Sequence, residues 1–255
     1  MSARDASWQP AWLLHARPWQ ETSVLAEWLL PAQGRVGGIV RGARRQGGTI
    51  PSPFQPYFIQ LAGQGELRRV AALEPAGPAQ SLTGPALFSG LYLNELLVRL
   101  LPRDLPQPEL FVAYAGAVGA LSETDPLDTA GIEAVLRRFE RQLLDAMGQS
   151  VSDGHEAGSH VPLRADAHYQ YHPGEGWLPA REGQRGACRG EDILAVAQDD
   201  FSTPDRRRLA KLLYRAALEP LLGTRPLKSR DLFLAMAPRP RTDTATDASS
   251  PPEES

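Results

Sequence analysis

Ser23-Val24-Leu25-Ala26-Glu27-Trp28-Leu29-Leu30-Pro31-Ala32-Gln33-Gly34-Arg35-Val36-Gly37-Gly38-Ile39-Val40-Arg41 is the stretch that decides the first half of the fold. Two apolar runs flank Pro31-Ala32-Gln33-Gly34, and that combination of Pro and Gly reads as a hairpin connection. Gly37 and Gly38 lie inside the second run, where paired glycines predict a bulge or sharp bend of the kind a small barrel needs to close. Working outward, residues 11–16 form a strand before the hairpin. Residues 56–61 and 66–73 form two more around Ala62-Gly63-Gln64-Gly65. Five short strands with no sustained 3.6-residue period predict a closed five-stranded barrel of the OB type. An SH3-like barrel or a split sandwich would leave nearly the same pattern.

From Pro85 onward the period becomes helical. Leu87, Leu91, Leu96, Leu97, Leu100 and Leu101 line one face of a helix that ends before Pro102. Pro108 opens a second helix, with Leu110, Phe111, Tyr114, Val118 and Leu121 on one side, and residues 122–128 form a loop. A third, over about residues 132–147, aligns Leu136, Phe139, Leu143, Leu144 and Met147 and stops at Gly148. Residues 149–187 are poor in aliphatics. Tyr169-Gln170-Tyr171 and Trp177-Leu178 flank a Pro-Gly turn there, which predicts a hairpin insertion. Helices resume at 191–197, after Thr203-Pro204-Asp205, and at 229–236. The expected class is α+β: an OB-type barrel domain over residues 1–80, an all-α domain over 81–237 with the insertion at 149–187, and a disordered tail at 238–255.

Composition narrows the function. The longest apolar stretches fall short of the ~20 residues of a membrane span. No greasy segment of a secretory signal's length, about 7–15 residues, follows the N-terminus. The expectation is a cytoplasmic protein without a membrane partner. Cys188, the only cysteine of the 255 residues, forms no internal disulfide and supplies too few ligands for a structural zinc by itself.

The formal net charge is −3, yet the charge is segregated. Between residues 34 and 69, Arg35, Arg41, Arg44, Arg45, Arg68 and Arg69 face only Glu66. Between 203 and 230, Arg206, Arg207, Arg208, Lys211, Arg215, Arg225, Lys228 and Arg230 face only Asp205 and Glu219. Local basic excess of this kind points to a polyanion partner, although an Arg-rich helix is also an ordinary solvated face. The DNA-contact candidates are Arg35, Arg41, Arg44, Arg45, Arg206, Arg207, Lys211, Arg225, Lys228 and Arg230.

Catalytic signals are weak. His155, His160, His168 and His172 do not form the His-Glu-x-x-His helix of a zinc hydrolase, though His168 and His172 are four apart. Arg185 and Arg189 would lower the pKa of Cys188, but no His adjoins it as a base. No phosphate-binding loop or nucleophile elbow is present. The expectation is a non-enzyme with neither metal nor cofactor. The rival reading is a metal-dependent nucleic-acid hydrolase that uses the His-rich insertion.

Several motifs occur in order: Leu14-His15-Ala16-Arg17-Pro18-Trp19-Gln20-Glu21-Thr22-Ser23, Arg41-Gly42-Ala43-Arg44, Leu91-Tyr92-Leu93-Asn94-Glu95-Leu96-Leu97, Leu136-Arg137-Arg138-Phe139-Glu140 and Pro226-Leu227-Lys228-Ser229-Arg230. Together they resemble the RecO family of bacterial recombination mediators over most of residues 11–236. The resemblance implies an N-terminal OB-fold and a helical domain with a zinc-finger-like insertion. It implies DNA repair and recombination by binding single- and double-stranded DNA and annealing complementary strands. It also implies binding of the C-terminal tail of the single-stranded-DNA-binding protein and, with RecR, loading of RecA. Arg137 first and Arg138 second are the expected contacts for that acidic tail. Zinc-binding members use four cysteines, whereas this chain has His155 and Cys188 nearby, so the insertion is expected to be metal-free. Gln46-Gly47-Gly48-Thr49 stands where further basic residues are common in the family.

Overall fold

The computed structural model describes residues 7–149, 151 and 154–236, so the expected disordered tail at 238–255 lies outside the described residues. Strands β1 (Gln9–Trp19), β2 (Ser23–Leu30), β3 (Gly34–Val40), β4 (Pro56–Ala62) and β5 (Leu67–Pro75) close a barrel in the order β1-β2-β3-β5-β4. All neighbours are antiparallel except β3 and β5, which run parallel. The interior is filled by Ala11, Leu13, Trp28, Val36, Ile59 and Val70, among others.

The expected bend at Gly37 and Gly38 is not there, because the β2–β3 register runs unbroken from Val24 opposite Val40 to Leu30 opposite Gly34. The irregularities fall in β1, between Leu13 and His15, and where β4 meets β5. The two glycines serve clearance instead. A Cβ on Gly37 would sit 2.9 Å from Glu66 O and 3.2 Å from the Arg103 guanidinium, and one on Gly38 would sit 2.9 Å from Val70 and 3.2 Å from the Trp28 indole inside the barrel.

The extra residue in β1, Leu14, divides the outer face of that strand. Up to that point, Trp12 and Leu14 turn away from the barrel and join Leu29 and Phe54 in the cluster formed by the helices. Beyond it, His15 and Arg17 face solvent. A bulge redirects side chains in this way because one added residue shifts the period-2 alternation.

The helices are α1 (Gly84–Leu100), α2 (Pro108–Glu123), α3 (Thr129–Ala146), α4 (Gly190–Ala197), α5 (Pro204–Leu222) and α6 (Lys228–Met236). Strands β6 (His168–His172), β7 (Gly176–Ala180) and β8 (Cys188–Arg189) form a small sheet between α3 and α4. The cap signal at Thr203-Pro204 acts as read, since Thr203 accepts from Arg206 N and Pro204 occupies the first turn of α5; Asp128, expected only as the end of a loop, caps α3 by accepting from Gly131 N. Trp12 meets Tyr114 of α2 edge-on at 5.6 Å, and Tyr114 meets Phe139 of α3 at 6.4 Å, so one aromatic chain joins barrel to helices.

Three polar residues of α1 each hold a different helix. Tyr92 donates to Glu140 of α3 at 2.7 Å, and Asn94 accepts from the Tyr114 hydroxyl at 2.6 Å. The Glu95 carboxylate accepts from the amides of Lys228 and Ser229 at 2.9 Å each and from the Ser229 hydroxyl at 2.7 Å, which caps α6. Burial pushes the Glu95 pKa up, but the Ser229 and Lys228 donors outweigh it and hold the group below its ordinary 4.5.

Because the folded pKa lies below the unfolded one, the stability Glu95 contributes is full above about 4.5 and is lost as the pH falls through the folded value. Glu95→Gln is therefore expected to cost about 1–2 kcal/mol at neutral pH, the size of a helix-cap loss. In urea melts at several pH values, the gap between wild type and variant should close on the acid side.

Candidate nucleic-acid interface

Past Leu14, the outer face of the barrel presents one cross-strand row: Arg17 pairs with Leu25, Leu25 with Ile39, and Ile39 with Arg69. Both arginines are exposed, and the two aliphatic residues between them are half-buried. Trp19 lies two residues further along β1, on the same face as Arg17, and the Arg17 guanidinium carbon stands 5.8 Å from its ring centroid. Arg41 follows β3 directly and is exposed. The loop beyond it folds against the β1–β2 turn, where Arg44 donates from its amide to Thr22 O at 3.0 Å and from Nη1 to Gln20 O at 3.4 Å. Arg45 is exposed beside it.

The barrel's salt bridges engage Arg35, Arg68 and Arg103, and among the described residues none engages Arg17, Arg41, Arg44, Arg45 or Arg69. These five form the uncompensated positive surface. Arg17 and Arg69 were not among the expected contacts. Arg17 lies outside the basic window, and only the strand register carries it beside Ile39 and Arg69.

Arg35 requires correction as a phosphate contact paired with Arg41. Its Nε donates to Leu101 O at 2.9 Å and its Nη1 lies 3.4 Å from Glu27 Oε2, beneath the loop that joins α1 to α2. Burial lowers its pKa, with Glu27 opposing and Arg103 adding to the shift. Arg103 pairs with the other oxygen of Glu27, and Arg68 pairs with Asp104. All three arginines fasten that loop to the barrel.

The second basic window is also weaker than its sequence count. Arg206 pairs with Asp192 at 3.2 Å and with Asp200. Arg207 donates to Phe201 O at 2.8 Å and Ser202 O at 3.1 Å, and Lys211 lies 3.4 Å from Glu133. The acids that precede α5 fold back onto it. Arg225, Lys228 and Arg230 are exposed, and among the described residues no salt bridge engages them. The turn carrying Arg225 is pinned by Arg99, which donates to Leu222 O at 2.6 Å and Arg225 O at 2.8 Å.

Of the two arginines expected to meet an acidic peptide tail, Arg137 is buried in an ion pair and Arg138 is exposed. Arg137 is 6% exposed and its Nη1 lies 2.6 Å from Glu140, itself 1% exposed. Burial raises the Glu140 pKa although Arg137 and Tyr92 pull it down. Breaking this pair to receive a partner's carboxylate would strand a buried charge. The Arg138 side chain is 48% exposed and only loosely paired, at 3.6 Å, with Asp199.

The insertion is organised around aromatic side chains. Trp177 is 1% exposed, donates its indole N–H to Val151 O at 3.0 Å and meets Tyr171 edge-on at 5.3 Å. Tyr169 is buried, and its hydroxyl accepts from Arg164 N at 3.0 Å. Among the described residues, no group of three or more His, Cys, Asp or Glu is placed to hold a metal ion. Burial, and then Asp192, raise the Cys188 pKa, the reverse of the expected effect of Arg185 and Arg189. A structural zinc takes four Cys or His ligands and no such set is brought together among the described residues, so the residues present do not fit a zinc-finger site. A cleft of about 430 Å3 between this hairpin and the end of α5 is lined by His155, His160, Glu156 and Glu175, without a convergent set.

Two family models match in tandem, "Recombination protein O N terminal" over residues 4–79 and "Recombination protein O C terminal" over residues 82–231. A DNA repair protein RecO of Pseudomonas paraeruginosa is 43% identical over 236 residues, covering 92% of this chain and 98% of the relative. The protein of that name from Stutzerimonas stutzeri is 44% identical over 234 residues, 91% and 96% of the two chains. That from Pseudomonas putida strain W619 is 44% identical over 225 residues, 88% and 96%.

Trp177→Ala is expected to destabilise the insertion by about 3–5 kcal/mol, the usual cost of deleting a buried aromatic, seen as early cleavage in limited proteolysis. EDTA should leave the melting curve of the wild type unchanged. A fall in melting temperature on chelation would mean that a metal holds the hairpin.

Proposed function

The chain belongs to the recombination protein O family of DNA repair proteins, and on that premise we propose that it acts as a non-enzymatic mediator that binds single- and double-stranded DNA and anneals complementary strands. The observation that carries this reading is the surface of Arg17, Arg41, Arg44, Arg45 and Arg69, which among the described residues stands without salt bridges on a chain whose net charge is −3. A barrel face that keeps uncompensated guanidinium groups against the sign of the whole chain suits a polyanion. Arg225, Lys228 and Arg230 form a second surface, smaller than the sequence count. Two such surfaces allow two strands to be held together with their phosphates screened, which is the requirement of annealing. Arg35, Arg206, Arg207 and Lys211 have intramolecular roles that leave them poorly placed for phosphate.

Residues 1–80 and 81–237 work as two domains across their shared core. Arg138, 48% exposed, is the first choice for the acidic C-terminal tail of the single-stranded-DNA-binding protein. A terminal carboxylate calls for a guanidinium beside apolar surface. RecR is the partner with which RecA loading would follow, as family membership suggests. No helix among the described residues is long and apolar enough to cross a membrane.

The combined variant Arg41→Glu, Arg44→Glu, Arg45→Glu is expected to weaken binding of a labelled single-stranded oligonucleotide. Fluorescence anisotropy across a salt series should show the slope of log K against log salt shallower by about 0.7 for each phosphate that the variant no longer neutralises. Unchanged binding would place the site on the α5–α6 surface instead. Annealing measured in EDTA should persist, and its loss would favour the hydrolase reading. Arg138→Glu should weaken binding of an acidic, Phe-ended peptide, whereas Arg137→Gln should lower the melting temperature.

A further inference from the structure

Three apolar side chains on the outer face of the barrel serve no core. Trp19, Leu25 and Ile39 are half-buried, yet they belong neither to the cluster inside the barrel nor to the cluster of the helices. They lie together. Leu25 and Ile39 are direct cross-strand neighbours at the centre of the row bounded by Arg17 and Arg69, and Trp19 is on the same face at the end of β1. Four strands cross this row, so it is roughly 14 Å wide at about 4.8 Å per strand. Arg17 stands over the Trp19 ring, which fixes the indole and adds a cation beside it. Arg41 and Arg44 border the same end of the barrel, Arg44 through its bonds to Gln20 and Thr22 in the turn after Trp19.

Half-buried apolar side chains on a barrel wall bordered by uncompensated arginines suit a ligand with both flat apolar faces and anionic links. We propose that Trp19, backed by Arg17, is a stacking platform for an unpaired nucleobase, and that it makes this face of the barrel selective for single-stranded nucleic acid. A duplex keeps the faces of its bases stacked on one another, so it can offer phosphates to Arg41, Arg44, Arg45 and Arg69 but no base face to Trp19. A single strand offers both. Leu25 and Ile39 provide the apolar floor beside the ring, and Glu27, one row away, is occupied by Arg35 and Arg103 and does not repel the strand. This proposal rests on the reading of the barrel face as a nucleic-acid surface.

The test compares wild type, Trp19→Ala and Trp19→Phe on three probes of equal length: oligo-dT, an abasic deoxyribose-phosphate oligomer and a duplex. Trp19→Ala should weaken oligo-dT binding about 5- to 100-fold, the range for loss of one base–aromatic stack. Its affinity for the abasic oligomer and the duplex should stay at the wild-type level, as should the salt dependence. Trp19→Phe should restore most of the loss. Equal weakening on all three probes would overturn the proposal, because Trp19 would then shape the surface without stacking, and so would an unchanged affinity for oligo-dT. If the wild type binds oligo-dT with normal salt dependence and Trp19→Ala has no effect, the stacking platform alone fails. If the wild type binds none of the three probes, the nucleic-acid reading of the face fails as well. Neither core contains Trp19, so both variants are expected to melt with the wild type.

Discussion

Strand β1 has to supply two hydrophobic cores at once, and the arrangement of the molecule follows from how it does so. Ala11 and Leu13 point into the barrel, while Trp12 and Leu14 point out of it into the helices. Were Leu14 paired in the regular alternation, His15, Arg17 and Trp19 would turn into the barrel and Ala16 out of it. Leu14 breaks the alternation, so cover ends there and the strand emerges into solvent as His15, Arg17 and Trp19. One residue thereby separates the part of the barrel that is buried from the part that can meet a ligand.

The helical half depends on α1 in a comparable way. Its apolar face accounts for the packing, but its polar residues decide which helix lies where. Tyr92 engages α3, Asn94 engages α2, and Glu95 caps α6. Buried polar groups of this kind are costly when unmatched and exacting when matched. They also explain why three separated motifs, around residues 91–97, 136–140 and 226–230, belong together: Tyr92 and Glu95 of the first bond to Glu140 of the second and to Lys228 and Ser229 of the third. Arg137 pairs with that same Glu140, which is why an arginine that looks available on a helical projection is not.

Charge shows how far a linear count departs from a surface. The window after residue 203 contains more basic residues than the barrel window, yet Asp192, Asp200 and Glu133 return to neutralise Arg206, Arg207 and Lys211. In the barrel window, Glu27 and Asp104 absorb Arg35, Arg68 and Arg103. On the barrel, what survives is smaller and sits where no acid among the described residues forms a salt bridge with it: on the turn and loop at one end and along the open face. Arg17, remote from the window in sequence, joins it through strand pairing.

The sequence by itself determined the five barrel strands, the helices, the Thr203 cap and the change of period at Pro85. Those features depend on neighbours a few residues apart, through turn chemistry, alternation and capping. It also determined the family, because several motifs occur in the right order. Tertiary structure alone decided which glycines give clearance and which residue makes the bulge, since Gly37 answers to the Glu66 carbonyl and to Arg103, both far from it in sequence. It decided which arginines remain free, because an ion pair such as Arg103 with Glu27 joins residues far apart in sequence. And it decided that Trp19, Leu25 and Ile39 share one surface, because cross-strand register is set by closure of the whole barrel and not by any one strand.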